Sequence, residues 1–490
     1  MTEPHLMIFE KQFQTSHCIT IRSVLSYTRR RNPTFVEEYL KIAMSNATAV
    51  TAGVLLAGTI ALASTVLLAA DKPAYTALSN AQALTILDQV EKDIKENYYD
   101  PSLHGFDLDK RFDEARAKIK NAQSQDDALL AIAAAVAALH DSHTGFIPPR
   151  RPYNVDYGFA MQAVGDSACY VTAVKPGSDA EAKGLKRGDQ IVSINGVKLA
   201  RQDLRVVQTG YAVFPQAGFH LDVKPPEGDR KSLLVMAKVT PGQKEISTAN
   251  FDEWIKARPT LGQENKSRFF EVEKKVLFWK LPNFMIDPHD VGDLAKKARP
   301  FDTVVLDLRG NPGGRQDVLQ ALLGEFLDHD VTIGELKGRN GTKPLIAKGR
   351  GKSAIGGKLI VLIDSDSASA SEIFSRTVQL EKRGTVIGDH SSGAVMTSQS
   401  FVHAAQIDAI NVTQYWSSIT IEDVVLSNGE RLEGLGVTPD EEIVPTPADV
   451  AAGRDPILAR AAALAGVEMT PEKAGGMFPF KWPEAPIKIQ

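Results

Sequence analysis

TVVLDLRGNPGG at residues 303–314 and LIVLIDSDSASASE at residues 359–372 decide the fold. Each begins as an unbroken run of Val, Leu and Ile, the pattern of a parallel strand covered on both faces. Each then breaks into a turn of small residues ahead of a helical stretch. The neighbouring segments repeat this alternation. KVLFWKL from Lys275 and TVIGD from Thr385 read as strands, and Asp290–Ala298, Gln316–Leu327 and Ser371–Leu380 read as helices. Strands alternating with helices imply a sheet with helices packed on it, an α/β core.

Upstream the pattern changes. Ala81–Asn97, Asp113–Ala122 and Asp126–Leu139 read as helices. The last of them runs into His140-Asp141-Ser142-His143-Thr144-Gly145-Phe146 and is stopped by Pro148-Pro149. From Tyr153 to Val239 short strands (CYVTAV, QIVSI, HLDV, SLLVMA) surround one helical piece, Asp179–Gly184. The chain therefore divides into an N-terminal extension (1–46), an apolar segment (47–70), a helical segment (71–150), a β-rich module (153–240), a polar linker (241–266), the α/β core (267–465) and a C-terminal tail (466–490).

Ala47–Ala70 carries no charge over a length that can span a bilayer, with Arg22, Arg29, Arg30, Arg31 and Lys41 before it and Asp71 after it. Basic residues upstream predict export of the remainder, periplasmic or secreted. The segment is then either removed as a signal peptide, with Ala61-Leu62-Ala63 as a cleavage option, or kept as a membrane anchor. Membrane contact is expected only there. Lys and Arg number 56 against 60 Asp and Glu, so no basic excess points to nucleic acid as a partner. Two cysteines, Cys18 and Cys169, cannot build a disulfide framework or a cysteine-rich metal site, and no metal or cofactor is expected.

A serine at a strand-to-helix turn stands proud of the sheet, and the N–H groups and dipole of the helix behind it can stabilise a developing oxyanion. Ser369 has that placement. Ser369-x-x-Glu372 is also a capping box that needs no catalysis. The Gly313-Gly314 pair lets backbone approach a substrate closely, or serves as a plain strand-to-helix connection.

In combination, LDLRGNPGG, SASASE, GERLEGLGVTPDEEI (429–443) and DPILARA (455–461) resemble the carboxyl-terminal processing (tail-specific) peptidases and their relative the tricorn protease. The resemblance spans roughly Ala81–Ala463. It implies a crotonase/ClpP-like α/β peptidase core with an N-terminal helical segment and an inserted PDZ domain. It makes Ser369 the nucleophile, with Ala370 and one glycine of Gly313-Gly314 forming the oxyanion hole. KPGSDAEAKGLKRGDQIVSINGVKL (175–199) looks like a PDZ domain. Its Gly158-Phe159-Ala160-Met161 loop would then take a substrate C-terminus, the peptide adding as a strand, unless the module only regulates the site.

One departure is decisive for mechanism. The processing peptidases use a lysine base in a turn after the serine; here that position is Ala394, in His390-Ser391-Ser392-Gly393-Ala394. Lys382, at the end of the helix after Ser369, is not placed to replace it. The tricorn branch uses a histidine preceded by serine, with a distant glutamate. By that resemblance His143 is the base, Ser142 the link and Glu433 the orienting carboxylate, and His390 on the substituted loop is the alternative base. His143 also reads as a histidine satisfied just past a helix end. The function expected is an exported serine peptidase acting on polypeptides. Two alternatives stand beside it: a non-catalytic ligand- or peptide-binding member, as in the retinoid-binding proteins of the vertebrate eye that resemble the same core, and an esterase or amidase. A histidine base predicts a rate rising through one ionisation near pH ~6–7, and Ser371 is expected to cap the helix if Ser369 is replaced.

Overall fold

The computed structural model describes residues 78–151, 153–165, 168–241, 266–406 and 412–482. Ala47–Ala70 and nearly all of the 241–266 linker lie outside the described residues. The chain opens with helices α1 (Asn80–Asn97), α2 (Leu108–Lys120) and α3 (Gln125–Ala137). Strands β1 (Gly145–Ile147) and β2 (Tyr153–Asp156) follow. The β-rich module holds β3 (Phe159–Val164), β4 (Ala168–Val174), α4 (Asp179–Ala182), β5 (Gln190–Ile194), β6 (Val197–Lys198), α5 (Arg201–Val213), β7 (Gly218–Lys224) and β8 (Lys231–Met236), and β9 (Lys238–Pro241) leaves it to pair with β2. Its sheet runs β3-β4-β5-β7-β8, with β6 on β5. The sequence reading found one helix here. The second, α5, holds Val206, Val207, Thr209, Gly210 and Val213, residues poor in helix propensity, and it forms because Leu204, Val207 and Tyr211 bury against the module's sheet.

The core comprises β10 (Arg268–Val272), β11 (Val276–Lys280), α6 (Pro288–Ala298), β12 (Thr303–Asp307), α7 (Gln316–Phe326), β13 (Val331–Gly338), β14 (Gly341–Ala347), β15 (Lys358–Ile363), α8 (Ala370–Leu380), β16 (Gly384–Gly388), β17 (Met396–Gln406), β18 (Val412–Leu426), β19 (Glu441–Glu442), α9 (Pro447–Ala452), α10 (Pro456–Leu464) and α11 (Pro471–Gly475). One sheet has the order β10-β11-β12-β15-β16-β19 and is parallel from β11 onward. Alternate residues face opposite layers. Leu277, Trp279, Val304, Leu306 and Val361 pack on α6, α7 and α8. Val276, Phe278, Val305, Ile360 and Leu362 pack on α10. That two-sided burial is why these strands read as unbroken apolar runs.

A second sheet, β1-β18-β13-β14 with β17 on β18, was not legible in advance. β17 reads MTSQSFVHAAQ, in which Ser, Gln, His and Ala carry little strand signal, and it is held by pairing along the length of β18. This sheet fixes the end of the helical segment. β1 pairs with Ser418–Trp416, and Ser418 Oγ donates to the His143 carbonyl at 2.7 Å.

The carboxyl ends of β12 and β15 converge, the place where open parallel sheets build their sites. Leu308 N–H donates to Leu362 O at 2.9 Å, Ala368 N–H to Asn311 O at 2.9 Å, and Gly310 N–H to the Asp364 carboxylate at 2.8 Å. Beneath them lies a buried ion cluster. Asp307 accepts from Lys280 at 3.1 Å and from Arg309 at 3.0 and 2.8 Å, and Arg309 reaches on to Asp455 at 2.9 and 2.8 Å. Burial disfavours the Asp307 charge, but Arg309 and Lys280 outweigh it and hold the carboxyl well below the usual carboxylate range. LDLRG and DPILARA are thus tied to each other. Arg309→Leu leaves Asp307 and Asp455 facing an apolar stub and should lower stability by about 3–5 kcal/mol, as breaking a buried pair does; urea unfolding measures it.

Candidate active site

Ser369 lies between β15 and α8 with φ 55° and ψ −115°, a strained conformation for a residue with a side chain. The strain is held by hydrogen bonds on its backbone. Its N–H donates to Ala394 O and to Glu372 Oε2, both at 2.9 Å, and its carbonyl accepts from Glu372 N and Ile373 N at 2.9 and 3.0 Å. The helix is therefore capped by the Glu372 carboxylate, while Ser369 Oγ hydrogen-bonds to nothing among the described residues. The expectation that Ser371 would take over capping is corrected: its Oγ is buried and donates to Asn311 O at 2.9 Å.

Gly313 comes closest to this serine. A Cβ there would lie 2.7 Å from Ser369 Cβ, 2.7 Å from Ala368 O and 2.9 Å from Ala370 N. The Gly313 N–H already donates to Asn311 Oδ1 at 2.9 Å, so of the glycine pair it is Gly314 whose N–H is unengaged among the described residues. Ala370 N, the first amide of α8, is unengaged as well. Two donors thus remain beside Ser369.

His143, Ser142 and Glu433 come together. Ser142 Oγ donates to Glu433 Oε2 at 2.8 Å and stands 2.7 Å from His143 Nδ1. A hydroxyl has one proton. With it on Glu433, Ser142 Oγ accepts from Nδ1–H, and that tautomer leaves the His143 Nε2 lone pair free. Glu433 also accepts Ser142 N–H at 2.8 Å and Val395 N–H at 2.7 Å. Burial pushes its carboxyl up, and these donors pull against that. Burial likewise pushes the His143 imidazole down to about 4, helped by the Arg205 guanidinium and opposed by Asp141.

The peptide group between Ala394 and Val395 joins the two halves. Its oxygen takes Ser369 N–H, and its nitrogen gives its proton to Glu433. No hydrogen bond joins Ser369 Oγ to His143 among the described residues. The other candidates have different partners. His390 Nδ1 is 3.5 Å from Thr438 Oγ1, its N–H donates to Asp389 at 2.7 Å and its carbonyl accepts from Arg201. Lys382 sits beyond α8, its N–H on Gln379 O.

Residues 275–443 match the model of peptidase family S41, and residues 151–209 that of the PDZ domain. The tail-specific protease of Haemophilus influenzae is 28% identical over 355 residues, 68% of this chain and 48% of that protein. Carboxy-terminal processing protease CtpB of Bacillus subtilis is 27% identical over 274 residues, 54% of this chain and 50% of that protein. The likeness to peptidase family S41 covers residues 275–443 of the chain. The chain spans about half the length of these two relatives. The crystal structure of mature CPAF shares the fold, with a TM-score of 0.56 at 15% identity over 76% of this chain and 94% of that one.

The PDZ domain is not a free module beside the α/β core. Gly158 N–H, expected to meet a peptide carboxylate, donates to Asp156 at 2.8 Å. Along the open edge of β3, Met161 O accepts from Gln208 at 3.0 Å, Ala163 O from Ser365 at 2.6 Å and Gly165 O from Arg201 at 2.9 Å. From Met161 onward, strand addition at this edge would displace all three. Arg201 also binds Asp389 at 2.9 Å, and Arg205 donates to the Ser142 carbonyl at 3.2 Å.

Sequence reasoning missed Glu372 as more than a cap. Buried and fully satisfied, it accepts from Ser369 N, Ser391 Oγ, Gly393 N and Ala394 N at 2.9, 2.6, 2.7 and 2.9 Å. Burial pushes its carboxyl up and the donors oppose this. Glu372→Gln turns an NH2 group onto some of these donors and should cost about 2–3 kcal/mol. A thermal melt reads the loss, and amide exchange should speed up at Gly393 and Ala394 before it does in β12.

Proposed function

We propose that this protein is a serine peptidase that hydrolyses peptide bonds of polypeptides, with Ser369 as nucleophile and His143 as base. The observation that carries the reading is the Glu433–Ser142–His143 relay: it leaves Nε2 as the one basic nitrogen of the ring, tied through one peptide group to the serine turn. A histidine replaces the lysine for which Ala394 leaves no counterpart. Nε2 takes the Ser369 proton as Oγ attacks the carbonyl carbon, and returns it to the leaving amine; water then cleaves the acyl-enzyme by the same route. Gly314 N–H and Ala370 N–H, at the positive end of α8, are the donors for the oxyanion. The core is read as crotonase/ClpP-like, and Ala47–Ala70 supports placement outside the cytoplasm, released or tethered.

The docked edge of β3 favours a PDZ domain that gates the site over one that freely delivers substrate. A peptide amidated at its C-terminus and the free acid should bind the full chain with affinities within about two-fold of each other; preference for the acid by ten-fold or more would restore delivery.

Ser369→Ala should abolish turnover with folding retained, because Glu372 and not Ser369 Oγ caps α8. His143→Ala should lose several orders of magnitude, as triads do without their base, and His390→Ala, whose ring faces Thr438, should stay within a few-fold of the parent. A larger loss for His390→Ala would move the base to the substituted loop.

The structure changes the expected pH dependence. Only neutral imidazole accepts the proton, and burial with Arg205 brings the His143 pKa to about 4. Activity should hold as pH falls from 7 to about 5 and drop as it passes through about 4, instead of falling near pH 6–7. A kcat/KM profile measured where the protein stays folded decides between them.

A further inference from the structure

The two least covered large apolar side chains among the described residues each stand on a loop packed against a segment that touches the Ser369 turn, one through Gly313-Gly314 and the other through Gly393. Leu435 is 75% exposed and Met285 is 66% exposed. Single exposed apolar residues need no explanation. These two are each held by backbone hydrogen bonds one segment away from the serine turn.

Met285 follows Phe284, whose N–H donates to Gly313 O at 2.7 Å and whose carbonyl accepts Arg315 N–H at 3.0 Å. Its own N–H is fixed on Asn283 Oδ1 at 2.8 Å. A Cβ on Gly314 would lie 2.9 Å from Met285 N, so this segment lies against the oxyanion amide. Beside it is an open depression of about 640 Å³, with Met285, Ile286 and Pro288 as its apolar lining and Asp287, His289, Arg315 and Asp317 as its polar one. Leu435 sits between Gly434 and Gly436, both at positive φ (75° and 76°). Its N–H donates to Leu432 O at 3.0 Å, and Gly434 N–H donates to Gly393 O at 2.8 Å. Gly393 is one of the residues that Glu372 ties to the serine turn. These bonds fix the backbone that carries each side chain, so each loop presents its apolar side chain to solvent from a held position.

We propose that Met285 and Leu435 are specificity-determining residues that form apolar subsites for the substrate side chains flanking the scissile bond. The inference rests on the serine-peptidase reading and names its substrate class: segments of unfolded polypeptide with Leu, Ile, Val, Phe or Met beside the cleaved bond. In an extended chain successive side chains point to opposite sides, so one bond in the site presents one side chain to each loop. Folded proteins bury such side chains, and an unfolded chain presents them.

The test uses the full chain and a peptide library from a digested bacterial lysate, with cleavage sites mapped by mass spectrometry and Ser369 followed by a fluorophosphonate probe. Apolar residues should be enriched next to the cleaved bond. Met285→Ser and Leu435→Ser should each lower kcat/KM for a library-derived apolar peptide by about ten-fold or more, the discrimination an apolar pocket gives. Each should relax one flanking position and leave the other selective. Met285→Glu should draw Lys or Arg into its position, a gain that misfolding cannot imitate. Ser369-dependent labelling with cleavage indifferent to the flanking residues, or maps unchanged in all variants, would overturn the subsites alone. No labelling and no cleavage would overturn the serine-peptidase reading and the subsites with it.

Discussion

The Glu372 carboxylate holds the site together. With no exposed surface, it accepts from the Ser369 amide and from Ser391, Gly393 and Ala394 on a loop that follows β16. Four donors on one buried carboxylate leave few alternative arrangements, because every departure strands a buried N–H or O–H. The strained Ser369 backbone persists because this network, together with Ala394 O, over-determines it. Through the Ala394–Val395 peptide the same loop meets Glu433, and through Ser142 it meets His143. Chain segments that begin far apart, at the end of α3, after β15, after β16 and after β18, are thereby fixed to one another.

Ala394 is best understood within that frame. In the processing peptidases that this chain resembles, its position carries the base; here it offers only a methyl group and a backbone. Both backbone groups are used, the N–H on Glu372 and the carbonyl on Ser369. Under the proposal of His143 as base, the loop is kept as scaffold while the proton acceptor stands on another segment. Burial supports that exchange. A buried lysine needs its pKa brought down a long way to act near neutrality, whereas a buried imidazole is already neutral there.

The parallel strands were legible because burial on both faces leaves unbroken apolar runs such as TVVLD and LIVLI. The meeting of Ser142 and His143 with Glu433 was legible only through separate motifs carried by a resemblance, since nothing local says that residues this far apart in sequence meet. The second sheet was not legible: β17 is stabilised by pairing along β18 and not by its own composition. The role of Glu372 was half legible. A Ser-x-x-Glu capping box is what the sequence spells, and the local bond from Ser369 N is formed. The other three donors arrive from a distant loop, and Ser369 itself is left out of the box. His390, the alternative base, stands near Ala394 in sequence; Asp389 and the His390 and Ser391 carbonyls accept from Arg201 of the PDZ domain.

That last contact bears on control. Arg201 and Arg205 stand on one helix, α5, one turn apart. The first grips the loop that Glu372 organises, and the second holds the Ser142 carbonyl behind the relay and adds to the electrostatic pressure on His143. The same helix supplies Gln208, which occupies the β3 edge where a peptide would add. A ligand entering between β3 and α5 must displace Gln208, and an α5 that moves to admit it carries both arginines along. Under the proposed gating, groove and relay share α5, so occupancy of one would change the free energy of the other, in a direction set by whether the arginines hold His143 in its working position or away from it.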